Sequence, residues 1–129
     1  VPTSIEGKAV VSIGAIFAGN TTIKSVQIPS SVTSIGERAF SGCSSLISVT
    51  IPSSVTSIGE MAFSGCRSLT SVTIPSSVTS IGYEAFSGCS RLTKINCKAA
   101  SQPSGWKKNL YNSWKANCNA TVVWGYTGA

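Results

Sequence analysis

Glu37 and Glu60 stand 23 residues apart in identical local sequence, Ile-Gly-Glu. If the chain coils with that period, the two carboxyls lie about 5 Å apart on neighbouring turns, the separation used by retaining glycosidases. Their next partner in register is Tyr83, their surroundings are small and polar, and nothing nearby would raise one pKa for acid catalysis. They read as stacked, solvated glutamates. The chain has no histidine, no nucleophile elbow and no phosphate-binding loop. It is therefore expected not to be an enzyme and to need no cofactor. The five cysteines raise a second possibility. Cys43, Cys66 and Cys89 recur at the same period beside core positions. Successive turns about 4.8 Å apart fall within disulfide range, but side chains that point the same way would strain the bond. A ladder of free buried thiols is the expectation. Cys97 and Cys118 are placed at different corners of the coil, and a bond between them stays open, favoured by an oxidising compartment. No cysteine pair has zinc-ligand spacing.

The elements that would hold these residues come from the repeat. Residues 28–50, 51–73 and 74–96 are three copies of one 23-residue unit, and the first two differ only at Arg38/Met61, Ser44/Arg67 and Ile47/Thr70. Residues 1–27 are a divergent copy carrying an insert, Glu6 to Val10, and lacking one residue beside Phe17. Residues 97–129 leave the pattern and read as a C-terminal cap. Like positions stack on like, so each unit is one rung of a solenoid that no single unit could stabilise alone. Leu46, Val49 and Ile51 give a strand that Pro52 ends, because proline has no N–H for the ladder. Residues 46–51, 69–74 and 92–97 are then predicted to form one parallel sheet. Val55 and Ile58 turn inward on a short extended piece, and Gly59 suits a tight corner. Ala62 and Phe63 are placed on a single helical turn that Gly65 closes in a left-handed conformation. Phe17, Phe40, Phe63 and Phe86 should stack opposite the sheet. Asn20 replaces the cysteine in the first rung, where its amide can bond backbone groups.

The phrase IPSSVTSIGxxAFSGCxxLxxVx, with the ending from Ser104-Gly105-Trp106 to Val122-Val123-Trp124-Gly125-Tyr126, resembles the BspA-like (Treponema pallidum type) leucine-rich repeat. The likeness is close over residues 11–96 and looser elsewhere. It implies a leucine-rich-repeat solenoid in one domain: a short parallel β-sheet on one face, extended and helical-turn segments on the other, and caps at both ends. It also implies a bacterial or protist surface or secreted protein that contacts host proteins and cells without catalysis.

Ten Lys and Arg against four acidic residues give a net charge of +6. Arg38, Arg67 and Arg91 fall at different places in the unit, so the charge reads as scattered, not as a nucleic-acid stripe. No segment is apolar for long enough to cross a membrane. The lack of a signal peptide at Val1 is taken as the mark of a trimmed fragment. The sequons at Asn20 and Asn119 are too short to weigh. In the tail, Trp106, Leu110 and Trp114 have helical spacing over residues 106–117, with Lys107, Lys108 and Lys115 outward, and Val122 and Trp124 share one face of a last strand. These aromatics are expected to plug the core, leaving Tyr111 and Tyr126 as aromatic contacts.

On the outward strand face lie Lys24, Ser25 and Gln27, then Ile47, Ser48 and Thr50, then Thr70, Ser71 and Thr73, then Thr93, Lys94 and Asn96, a set that varies while the core positions stay fixed. The Ser-Val-Thr array has the look of an ice-binding surface, but the lysines interrupt it. The face is the predicted site for a protein partner, such as a host matrix or cell-surface protein, with neither nucleic acid nor membrane insertion involved. Four strands span only about 15 Å, so a monomer or weakly self-associating domain should bind weakly on its own. Two other readings stand beside it. One is a structural spacer, self-associating stalk or engineered consensus-like scaffold. The other is a carbohydrate-binding module using Trp106, Trp114, Trp124 and Tyr126.

Overall fold

The computed structural model describes residues 4–5, 8–9, 12–14, 17–106, 114–115 and 118–127. The strands of the three regular units follow from the alternation of one apolar and one polar residue, repeated at the unit length. Strands β1 (Ser4–Ile5) and β2 (Lys8–Ala9) pair antiparallel, so part of the insert runs back along the chain start. From β3 (Ser12–Ile13) onward each rung lays strands into parallel stacks. The first stack holds β4 (Ser25–Gln27), β6 (Ser48–Thr50), β8 (Ser71–Ile74), β10 (Lys94–Cys97) and β12 (Thr121–Val123). The second holds β3, β5 (Ser34–Ile35), β7 (Ser57–Ile58), β9 (Ser80–Ile81) and β11 (Gly105–Trp106), hydrogen-bonded without interruption.

In the first stack Val26 faces Val49 and Val72 faces Ile95, each at an offset of 23, and Ile95 faces Val122 at an offset of 27. In the second stack Ile13 faces Ile35, an offset of 22, whereas Ile35 faces Ile58, an offset of 23. The missing residue of the first unit is absorbed there. The short extended piece expected at Ile58 is thus a full second stack.

Two features of the first stack differ from the sequence expectation. The strands are three or four residues long, and the stack is two sheets, β4–β6 and β8–β10–β12, whose facing strands β6 and β8 touch without a hydrogen-bonded ladder. The helical turn is also absent: residues 37–42 form a chain of tight turns. The N–H groups of Ala39, Ser41 and Cys43 donate three residues back, to Gly36, Arg38 and Phe40 carbonyls at 3.2, 3.1 and 3.1 Å. Those of Arg38, Phe40 and Gly42 donate instead to Glu60, Ala62 and Ser64 of the next rung at 2.9, 2.7 and 2.7 Å. A helix needs all its N–H groups aligned along one axis, and here every second one is spent between rungs. The alternation draws Arg38, Met61 and Glu84 into the left-handed region, at φ of 57°, 57° and 56°. That conformation costs a non-glycine residue about 1–2 kcal/mol, and the bonds to the next rung hold it. Gly65 lies there too, at φ 75°, as expected of the residue that closes the turn.

The core runs between the stacks and turns as one continuous column. Phe17, Phe40, Phe63 and Phe86 stack with centroids 5.5, 5.4 and 5.5 Å apart and rings within 5°, 6° and 3° of parallel. Trp114 closes this column edge-on, 6.1 Å from Phe86, and meets Trp106 at 5.0 Å. Trp106 belongs to strand β11 and takes the register place of Ile81, instead of opening a helix. The rest of the predicted 106–117 helix lies largely outside the described residues. Trp106 is buried, and its Nε1–H donates to the Val78 carbonyl at 3.2 Å.

Polar side chains join rungs as regularly as apolar ones. Ser54 and Ser77 hydroxyls donate to the Val32 and Val55 carbonyls, each at 2.6 Å. Ser45 and Ser68 do the same to Thr21 and Ser44 at 2.6 and 2.7 Å. In the first rung Asn20 Oδ1 accepts from the Thr22 and Ile23 N–H groups at 2.9 and 3.1 Å.

Candidate functional site

Three constellations can be judged from geometry: the thiols, the glutamates and the outward strand face. Cys43, Cys66 and Cys89 are buried, and each Sγ–H donates to the phenylalanine carbonyl of the rung before, Phe17, Phe40 and Phe63, at 3.1, 3.3 and 3.1 Å. Burial pushes the Cys43 and Cys118 thiols up. The sulfur contact between Cys66 and Cys89, together with burial, pushes Cys66 up. The same contact favours the anion on Cys89 against its own desolvation, and a dry column holds the pair protonated as a unit. Such thiols are inert as nucleophiles. Cys97 and Cys118 are both free and buried, so no disulfide joins them. The physical reason is their placement: Cys97 pairs with Ile74 at the end of the first stack, while Cys118 approaches Cys89 at the end of the thiol ladder.

Burial alone pushes Cys97 up to about 12 from its ordinary 9.0. A group whose folded pKa is raised stabilises fully below its unfolded pKa, and the contribution fades as pH climbs from 9 toward 12. Unfolding by urea at pH 10 should thus be easier than at pH 8 by on the order of 1 kcal/mol from this thiol. The Cys97→Ala variant should lose that portion of the pH dependence, and equal slopes in the two proteins would refute the assignment.

Glu37 and Glu60 are exposed, and Glu37 has only a loose contact with Arg38 at 3.9 Å. At that exposure the ion pair adds little, and neither carboxyl meets an environment suited to acid catalysis. Among the described residues no cluster of His, Cys, Asp or Glu could hold a metal.

The outward strand face is where the structure places the twelve variable residues. Lys24, Ser25, Gln27, Ile47, Ser48, Thr50, Thr70, Ser71, Thr93 and Lys94 are exposed, and Thr73 and Asn96 are half-buried. Ile47 is the one exposed large apolar side chain among the described residues, at 49% exposure. Tyr126 is half-buried, and Tyr111 lies outside the described residues. Trp106 and Trp114 are internal, with their faces spent on the core, and the half-buried Trp124 packs on Trp106 at 5.5 Å.

Sequence reasoning overlooked a groove at the exits of β6, β8 and β10, about 550 Å³ in volume. It brings Thr50 and Thr73 together with Ser53, Ser76 and Lys98. The signal was present in the Pro-Ser-Ser repeats: the second serine is tied to the preceding rung and the first is left over.

A model of the BspA type leucine rich repeat region matches residues 12–113 as 6 copies. Comparison with curated proteins found no match. Among solved structures, the chain is similar to a leucine rich cell surface protein from Faecalibacterium prausnitzii A2-165, with 31% identity and a TM-score of 0.77 over 95% of this chain and 31% of that one. It is also similar to the T. pallidum leucine rich repeat protein, with 27% identity and a TM-score of 0.63 over 98% of this chain and 68% of that one. A leucine-rich repeat protein from Eubacterium ventriosum ATCC 27560 is 32% identical with a TM-score of 0.63, over 80% of this chain and 27% of that one. The chain thus spans under a third of the Faecalibacterium and Eubacterium proteins.

Proposed function

Because this chain belongs to the BspA-type leucine-rich repeat family, we propose that it is a non-catalytic recognition module of a surface or secreted protein, engaging a protein partner through its first-stack strand face. The carrying observation is a contrast within each rung: the inward positions repeat almost without change, while the outward face changes at Lys24/Ile47/Thr70 and at Gln27, Lys94 and Asn96, and ten of its twelve residues stand open to solvent. Selection for folding accounts for the first set, and adaptation to a partner accounts for the second. The similar Faecalibacterium chain is described as a cell surface protein, which supports an extracellular setting. Four or five short strands offer less than a standard interface. Adhesion therefore gains strength from many such rungs in one longer chain.

Replacing Thr50, Thr73 and Lys94 together with alanine should weaken binding to immobilised extracellular-matrix proteins at least tenfold, with thermal unfolding unchanged. Undiminished binding would place the contact elsewhere. A structural spacer is the second reading, favoured by the near identity of residues 28–50 and 51–73. Light scattering that rises with concentration, with no matrix protein retained, would support it.

A further inference from the structure

The groove at the exits of β6, β8 and β10 has a floor and a rim of different chemistry. Val49, Ile51 and Pro75 form the floor, all buried. Thr50, Ser53, Thr73 and Ser76 bring four hydroxyls to the rim, and Lys98 adds a cation. None of these hydroxyls bonds to another described residue, whereas the adjacent Ser54 and Ser77 are each held at 2.6 Å by a carbonyl of the rung before. The Lys98 backbone is fixed by its N–H bond to the Ile74 carbonyl at 3.0 Å. Its ammonium pairs with no described carboxylate. The described acids, Glu37, Glu60 and Glu84, all follow strands of the second stack, away from the groove in every rung. The groove also overlies the seam where β6 and β8 touch without a ladder.

Donor hydroxyls and an unneutralised ammonium above an aliphatic floor are complementary to a carboxylate beside an apolar side chain. A sugar ring would want an aromatic platform, and none lines this groove. We propose that the groove seats an acidic polypeptide segment, with a Glu or Asp carboxylate on Lys98 and the rim hydroxyls and a neighbouring aliphatic side chain over Val49, Ile51 and Pro75. This rests on the protein-binding reading and names the chemistry of the partner. Lys98 is then a specificity residue that the strand-face pattern did not include.

The test is a titration of the uniformly ¹⁵N-labelled chain with a synthetic peptide of alternating Glu and Leu, followed by amide shifts. Saturable shifts are expected at Thr50, Thr73, Ser76 and Lys98. Lys98→Glu should weaken binding at least fivefold, and Lys98→Arg should stay within twofold. Arg38→Glu makes the same change in net charge on the far side of the rung, at a position Glu84 already occupies two units on, and should also stay within twofold. Equal losses in Lys98→Glu and Arg38→Glu would reduce the effect to diffuse charge and overturn the site. Absence of saturable shifts, or stronger shifts at these residues with dextran sulfate, would overturn the acidic-peptide assignment. If the Thr50, Thr73 and Lys94 triple variant loses matrix-protein binding while Lys98→Glu does not, this inference fails alone. If neither change matters, the protein-binding face fails with it.

Discussion

Gly82→Ala should destabilise the protein by at least about 3 kcal/mol, while Gly14→Ala, at the same place in the motif one end earlier, should change stability by less than about 0.5 kcal/mol. A Cβ on Gly82 would fall 2.6 Å from Glu60 Cα, and closer still to the Glu60 nitrogen. Neither atom can retreat, because both belong to the backbone and Gly82 N–H already donates to the Ile58 carbonyl at 2.8 Å. The methyl group must therefore push one rung off another and break the ladder bonds on either side. Gly59 faces the same contact, with a Cβ 2.6 Å from Glu37 N and Gly36 C. Nothing lies within 4 Å of a Cβ on Gly14. Urea unfolding followed by circular dichroism compares the two variants directly, and a Gly82→Ala protein as stable as the parent would disprove the contact.

This glycine shows where the sequence was readable and where it was not. The repeat identified the corner, but the reason offered, conformational freedom, was not the operative one. No positive φ occurs at Gly59 or Gly82, and what excludes a side chain is a neighbour 23 residues away. Properties carried by a single unit, such as the inward Val, Ile and Phe positions, were legible because burial leaves a periodic mark. Properties that arise only between units were hidden. The left-handed backbone at Arg38, Met61 and Glu84 has no residue signature, since Arg, Met and Glu have no special preference for it. It is imposed by N–H groups that reach the next rung. The serines that rivet rungs carry no mark of it in the sequence for the same reason. In the tail, helical spacing at Trp106 and Trp114 competed with the demand of the last rung for a strand opposite Ile81, and the open edge of the stack prevailed at Trp106. The strand face was legible as variable and outward. Its groove was not, because Lys98 joins Thr50 and Thr73 only through the coil.

Phe63→Ala should cost about 3–5 kcal/mol, the range for emptying a buried aromatic site, and should do so in an unusual way. Phe63 is fully buried between Phe40 and Phe86, at 5.4 and 5.5 Å, so its loss removes both ring contacts at the middle of the column. Phe17 has one such neighbour and is only partly buried, and Phe17→Ala should cost less than half as much. In a solenoid each rung is stabilised through its nearest neighbours alone. A cavity in the central rung therefore weakens the coupling between the two ends as well as the total. All three tryptophans, Trp106, Trp114 and Trp124, lie at the C-terminal end, which makes their fluorescence a reporter of that end, while far-ultraviolet circular dichroism reports every rung. In the parent the two signals should change together across a urea titration, the mark of one cooperative transition. In Phe63→Ala they should separate, with the first rungs melting before the tryptophan-capped end. Coincident curves in the variant would mean that the stack adds stability without carrying the cooperativity of the array.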